Sequence, residues 1–258
     1  PIVCEKTRPS PGRHLLRRLN NRELDATFRD LLGDAAAPAT SFTRPNLVGG
    51  FDTGAEGLVV SALFAEQLHD AVAPLADRAA ATLGERAGCA PSPACAESFV
   101  RSFGRRAFRR PLDAAEVARY RGVAEAGIAE GGFAEGIRWA VQAMLESPSF
   151  LYRVERGDGV EVAPDIVRLT SHEMAARLSY LLWGTMPDAG LAAAADADRL
   201  RTTGGILREA ERLLDDPRAA NLRAAFHSLW LGLSGLDDVR KDARAFPDYS
   251  DALRGLQR

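Results

Sequence analysis

The sequence predicts an all-α protein, a multi-helix bundle-like array with at most a short β hairpin near residues 150–168. Three observations carry that expectation. A complete helix-start signal occurs three times, apolar residues recur at three- and four-residue spacing, and glycine or proline interrupts that spacing at helix-sized intervals. At 258 residues, 46% hydrophobic and 26% charged, the chain can bury roughly three quarters of its unfolded surface. A formal charge of -2 excludes a surface built wholly for nucleic acid, because phosphate binding needs a net basic face. No apolar run approaches the roughly 18 residues of a membrane span, so no transmembrane segment is expected. Lys6 and Lys241 are the only lysines, and the simplest source of so arginine-rich a chain is a GC-rich genome.

Residues 1–18 are rich in proline, glycine and arginine and read as a linker or tail that packs only at its end. An N-terminal helical region, 19–88, follows. Asn20 caps its first helix, Glu23 completes a capping box, and Leu19 with Leu24 forms the hydrophobic staple. Leu24, Phe28, Leu31 and Leu32 make one face, and Gly33 ends the helix. Residues 34–60 form a long loop, a length that is functional or pinned by its own packing. Ser61 opens a second helix with the stripe Phe64, Leu68, Val72 and Leu75, which Pro74 is expected to kink or shorten.

The cysteine-loop and arginine-rich helical region spans 89–130. Cys89 and Cys95 flank the proline-stiffened loop APSPA, a spacing that suggests a local disulfide and an oxidising compartment; two free thiols near a helix start are the other reading. Cys4 is left over. Phe99, Phe103 and Ala107 repeat at helical spacing, with Arg101, Arg105 and Arg109 on a neighbouring face. Asp113, Glu116, Leu112 and Val117 repeat the start signal.

The C-terminal helical region, 131–258, begins at the Gly131-Gly132 break and is expected to form one compact unit with the rest. A helix follows with core face Ile137, Ala140, Val141, Met144 and Leu145, and Ser147-Pro148 ends it. FLYRVE reads equally as a strand or a helical turn, and residues 157–168 as a turn-rich connection with room for a small hairpin. Thr170, Glu173, Leu169 and Met174 give the third start, and Gly184 to Pro187 closes that helix. The alanine-rich stretch 191–200 is expected to be helical but weakly anchored. Ile206, Leu207, Ala210, Leu213 and Leu214 mark an amphipathic helix. Asp216 with Pro217 starts another, which should carry Leu222, Phe226, Leu229 and Leu233 to the core. Beyond Gly235 the chain turns polar, and a new helix near its end suggests a cut inside a longer protein.

Familiar motifs fail at a required position. His172-Glu173 lacks the second histidine of a zinc protease at Ala176, Gly157 and Gly159 lack the third glycine of a dinucleotide fingerprint at Val162, and Gly232 with Ser234 lacks the glycine of a nucleophile elbow at Leu236. Asp52, Glu56 and Gly57 fit a calcium loop, but Gly54 and Leu63 lack its oxygens. No metal site is expected. His14, His69, His172 and His227 are scattered singly; His69 and His227 read as packing histidines and His172 as exposed. Trp139, Trp183 and Trp230 read as core rather than a cofactor cage.

The arginines Arg101, Arg105, Arg106, Arg109 and Arg110 are the one concentration of unusual chemistry. As a site, Arg105, Arg106, Arg109 and Arg110 would hold a carboxylate, a phosphate or haem propionates through bidentate forks. As architecture, they would tie their helix to Asp113, Glu116 and acidic neighbours, and this second reading is favoured.

The segments RRLNNRELDATFRDLLG, GFDTGAEGLVVS, FGRRAFRRPLDAAEVARY, AMLESPSFLYRVE and LTSHEMAARLSYLLWGTMPD, with the paired cysteines, resemble the bacterial domain of unknown function 1592 family and its neighbours 1587 and 1595. Leu24 stands where an aromatic is usual and Thr53 where asparagine is. The resemblance implies an extracytoplasmic protein, in periplasm or at the cell surface, working beside a cytochrome c-like domain or another secreted partner. It transfers no reaction and no catalytic residue. The expected function is therefore a structural or binding module with no cofactor in this chain; the alternative is a redox enzyme or haem-linked oxidoreductase subunit with haem on a partner domain.

Overall fold

The computed structural model describes residues 15–86, 88–233, 241–242, 244–246 and 248–249. Cys4, His14, most of the tail and the polar end fall outside these residues, as does Leu236. Among the described residues the fold is helical, with ten α-helices and two antiparallel sheets of two strands each.

The three start signals act as their sequences dictate. Asn20 caps α1 (Asn21–Leu32): its Oδ1 accepts the Glu23 amide at 2.8 Å, and Glu23 Oε2 accepts the Asn20 amide at 2.9 Å. Asp113 and Glu116 repeat the exchange at α4 (Ala114–Gly131), at 2.8 and 3.0 Å. Thr170 and Glu173 repeat it at α7 (Ser171–Leu182), at 3.2 and 2.8 Å. Each cap satisfies amides that a helix start leaves orphaned and stabilises by about 1 kcal/mol.

Between α1 and α4 lie α2 (Ala62–Arg86) and α3 (Pro93–Phe108). Pro74 does not end α2, which runs on for three more turns. An interior proline costs about 3 kcal/mol; here the burial of Val72, Leu75, Ala76, Ala79 and Ala80 around it offsets that cost. The α4 helix then packs along α5 (Phe133–Leu145). Glycines permit the close approach: a Cβ on Gly127 would lie 2.8 Å from Gly136 Cα, and one on Gly136 would lie 2.5 Å from Ala124 O. The FLYRVE ambiguity resolves as both alternatives in succession. The single turn α6 (Pro148–Leu151), capped by Ser147, leads directly into β2 (Tyr152–Arg153).

The partner of β2 is β1 (Arg17–Arg18), in register Arg17 with Arg153 and Arg18 with Tyr152. The end of the tail, Arg17–Arg18, thus packs, as its sequence leads one to expect. Arg18 is 2% exposed, its guanidinium lies 3.9 Å from the Phe64 ring centroid, and burial pushes its pKa down to about 10. The expected hairpin forms from β3 (Glu161–Ala163) and β4 (Ile166–Val167). The long loop 34–60 is pinned by both flanking helices: Asp25 of α1 accepts the Ala39 amide at 2.7 Å, Asn21 of α1 donates to the Phe42 and Thr43 carbonyls, and Gln67 of α2 accepts the Thr43 amide at 3.0 Å.

Two apolar clusters result. The larger joins α1 to α6, with Phe28 stacked on Phe150 at 5.7 Å. The smaller joins α7 to α8 (Ala189–Asp196), α9 (Thr203–Asp215) and the start of α10 (Arg218–Trp230). The alanine-rich stretch is firmly anchored, contrary to expectation: Leu191, Ala194, Ala195 and Leu200 are all buried. Small side chains let α8 lie close against α7. In α9 Leu213 is buried, but Leu207 and Leu214 are exposed. The start of α10 is shifted by one residue from expectation: Pro217 directly precedes the helix and offers no side-chain cap, while Asp216 Oδ1 still accepts the Arg218 amide at 2.9 Å.

The stripe of α10 does not reach the core. Only Ala219 is buried; Phe226 is 48% exposed, Leu233 is exposed, and Leu222 and Leu229 are half-buried. The spacing correctly marks one apolar face, but that face looks onto an open cleft.

Candidate functional site

The arginine cluster of α3 and its C-terminus is a set of ties. Arg105 pairs with Asp196, Arg101 with Glu97 at 2.8 Å, and Arg110 grips Glu116 at 2.7 and 2.8 Å. That grip, with the Asp113 amide, holds the Glu116 carboxyl below its usual range. Arg106 donates to the Asp30 carbonyl at 2.8 Å. Arg109 is 7% exposed and reaches three carbonyls, Ser149, Phe150 and Tyr152, at 2.9–3.0 Å. It does so from a left-handed backbone, φ 59°. The space among Arg105, Arg106, Arg109, Arg110 and His172 is about 40 Å³, room for a water or a small ion.

Upstream, Cys89 and Cys95 are bonded, with sulfurs 2.06 Å and Cα atoms 5.7 Å apart. The bond joins the loop to the first turn of α3, where Ser92 accepts the Cys95 amide.

The single histidines stay single. His69 is not a packing histidine: its side chain is 62% exposed and meets Glu146 at 3.0 Å. His227 is exposed too, bonded to the Arg223 carbonyl at 2.7 Å. His172 Nε2 lies 3.0 Å from Asp196. Among the described residues no group of three or more His, Cys, Asp or Glu is placed to hold a metal. Trp183 is buried under the Arg218 guanidinium, whereas Trp230 is 63% exposed and does not serve the core.

A second opening lies between α10 and the β1–β2 pair. It is a cleft of about 530 Å³, within the roughly 300–1,000 Å³ of small-molecule sites. Leu181, Leu182, Leu222, Phe226 and Leu229 give it an apolar wall. Phe51 stacks on Phe226 at 5.4 Å. Its other side is charged. Arg17 bonds Glu23 at 2.5 Å and the Thr53 carbonyl at 2.9 Å; Arg153 meets Glu155 at 3.2 Å; Arg177 pairs with Glu155. Burial pushes the Glu23 carboxyl up and the Arg17 guanidinium down from their ordinary values, and the nearby Arg153 charge lowers Arg17 further. Arg17 Nη1 and Arg153 Nε are buried with no acceptor among the described residues. Tyr180 closes the floor, its hydroxyl 2.8 Å from Thr27 Oγ1 and 3.4 Å from Arg109.

These cleft residues carry no local motif. Arg17 and Arg153 meet only because the chain returns from far along the sequence to pair β1 with β2, and the arginine doublet before Leu19 was the sole local hint.

Comparison with known proteins agrees with the resemblance of the sequence. Residues 17–81 match PSD3, a protein of unknown function (DUF1587); 95–155 match PSD5, a protein of unknown function (DUF1595); 169–257 match PSD4, a protein of unknown function (DUF1592). The chain carries the PSD3, PSD5 and PSD4 set. No curated protein and no solved structure matches the chain. The three segments converge on the cleft: PSD3 brings Arg17, Glu23 and Phe51, PSD5 brings Arg153, and PSD4 brings Arg177, Tyr180 and the α10 wall. Tyr180 of PSD4 touches Thr27 of PSD3 and Arg109 of PSD5.

Proposed function

We propose that the chain is an extracytoplasmic binding module whose ligand occupies the cleft beneath α10. The observation that carries this reading is that all three matched segments contribute to one opening with an apolar wall and a charged floor. Burying Leu222, Phe226 and Leu229 against a ligand would complete the cover that the described residues give them only in part. A fully buried leucine or phenylalanine contributes about 1.5–3 kcal/mol. The test is fluorescence of the neutral apolar dye Nile red. The wild-type protein should brighten the dye saturably, and Phe226→Asp, a change on an exposed helix face, should weaken binding about tenfold while leaving the circular dichroism spectrum unchanged. Equal dye binding by both proteins would remove the cleft as the site.

The Cys89–Cys95 bond supports the extracytoplasmic placement, since such bonds persist in oxidising compartments. The proposed partner, a cytochrome c-like domain or another secreted protein, would carry any haem itself. Full-length protein exported to the periplasm should then have both cysteines oxidised by mass and, with a cytochrome partner attached, a haem absorption band. Free thiols at both positions would remove the placement, and a spectrum without haem would remove the cytochrome.

A further inference from the structure

We infer that the cleft takes an amphipathic carboxylate, a carboxyl head on an apolar tail, with Arg223 and Arg177 receiving the head. This rests on the reading of the cleft as a binding site and names the ligand class. The tail has its surface in the wall of Leu181, Leu222, Phe226 and Leu229. The sign of the head follows from the charges around it. Five arginines line the cleft, Arg17, Arg22, Arg153, Arg177 and Arg223, against the two acids Glu23 and Asp52. Glu155 behind them is shared between Arg153 and Arg177, which still leaves the arginines in excess.

The distribution of that excess picks out the contacts. Arg17 and Arg153 are mostly buried in the floor, each with one donor nitrogen lacking an acceptor among the described residues, so they act chiefly through their field. Arg22 is engaged by Asp52 at 3.4 Å. Arg177 is 42% exposed and shares its acid with Arg153. Arg223 is exposed and has no carboxylate partner among the described residues. Unlike an exposed arginine on open solvent, it stands at the rim of an apolar cleft, where a charge-assisted bond is less screened by water. A cationic head would instead add to the excess of like charge, and a neutral one would leave that excess uncompensated.

Titration calorimetry with three probes built on a ten-carbon chain, decanoate, 1-decanol and decyltrimethylammonium, tests the inference on the full chain. Decanoate should bind with a dissociation constant on the order of 100 μM, the range reachable by a ligand of about a dozen heavy atoms. Decanol should bind about tenfold more weakly and the cation weaker still. Arg223→Gln should weaken decanoate about fivefold and leave decanol unchanged. Because Arg223 is exposed, that variant keeps the fold, and Arg177→Gln gives a second reading through the other head contact. Equal affinity for decanoate and decanol, or an unchanged decanoate affinity in both variants, overturns the inference. Nile red binding without displacement by decanoate also overturns it while sparing the binding-module reading; absence of Nile red binding removes both.

Discussion

The two arginine groups of this protein use one side chain in opposite ways. On and after α3 each guanidinium ends on a carboxylate or carbonyl of the chain, and Arg109 ends on three. Around the cleft the arginines outnumber their acids, and two donor nitrogens are buried with no acceptor among the described residues. Density in sequence does not separate these roles; completeness of partners does. A guanidinium whose donors are all used has become architecture, because another acceptor would have to displace a bond already made in a partly dry setting. One with capacity left over keeps an electrostatic preference for an anion.

The sharpest way to break the contrast is at Arg109. Its replacement by glutamine should cost about 3 kcal/mol, because a buried charged donor is removed and the Ser149, Phe150 and Tyr152 carbonyls lose their partner. Urea unfolding should show a lower midpoint at unchanged slope. The left-handed backbone makes the expectation stricter: an L residue at φ 59° is held there at a cost of roughly 1–2 kcal/mol, which the carbonyl bonds offset and glutamine would not. A midpoint within experimental scatter of wild type would show that the α3 arginines are no more architectural than those of the cleft.

What the sequence could and could not say follows from the range of each interaction. The three capping boxes were legible because both partners lie within three residues, as in Asn20 with Glu23. The apolar faces were legible for the same reason. Whether a face is covered is a different matter. Periodicity marks Leu222, Phe226 and Leu229 in the same terms as Ile137, Val141 and Met144, yet only the second group is buried. The β1–β2 pair is two residues long on each side and joins positions far apart, below any pattern a strand of alternating residues would give. The cleft inherits that opacity, since its charged floor exists only once Arg17 lies beside Arg153. Arginine density, the visible signal, pointed to α3, where long-range partners such as Asp196 and Asp30 had already used it.

The same completeness can be read in a carboxylate. Asp158, at the mouth of the hairpin, accepts the Val160 amide and bonds Arg201 and Arg168, which together hold its pKa down to about 2 from 3.8. A depressed carboxylate stabilises the fold above its unfolded pKa and loses that contribution as pH falls through the folded value. Thermal midpoints should therefore decline between about pH 4 and pH 2. Asp158→Asn should start lower at neutral pH and decline less over that window. Parallel curves for the two proteins would show that the cluster around Asp158 is no more settled than the cleft.

The smallest effects test the contrast most directly, because stability is then nearly silent. Arg105 and Arg223 are both surface arginines, one paired with Asp196 and the other facing the cleft with no acid among the described residues. Replacing either by glutamine should change unfolding free energy by less than about 0.5 kcal/mol, the usual scale for an exposed charge. The two variants should part only when a carboxylate is added. Decanoate should raise the thermal midpoint of the Arg105→Gln protein as much as that of wild type, since a ligand stabilises in proportion to its occupancy of the folded state. It should raise that of Arg223→Gln less. An equal loss in both variants would mean that decanoate responds to the net charge of the chain, and the distinction between spent and spare arginines would then have no bearing on binding.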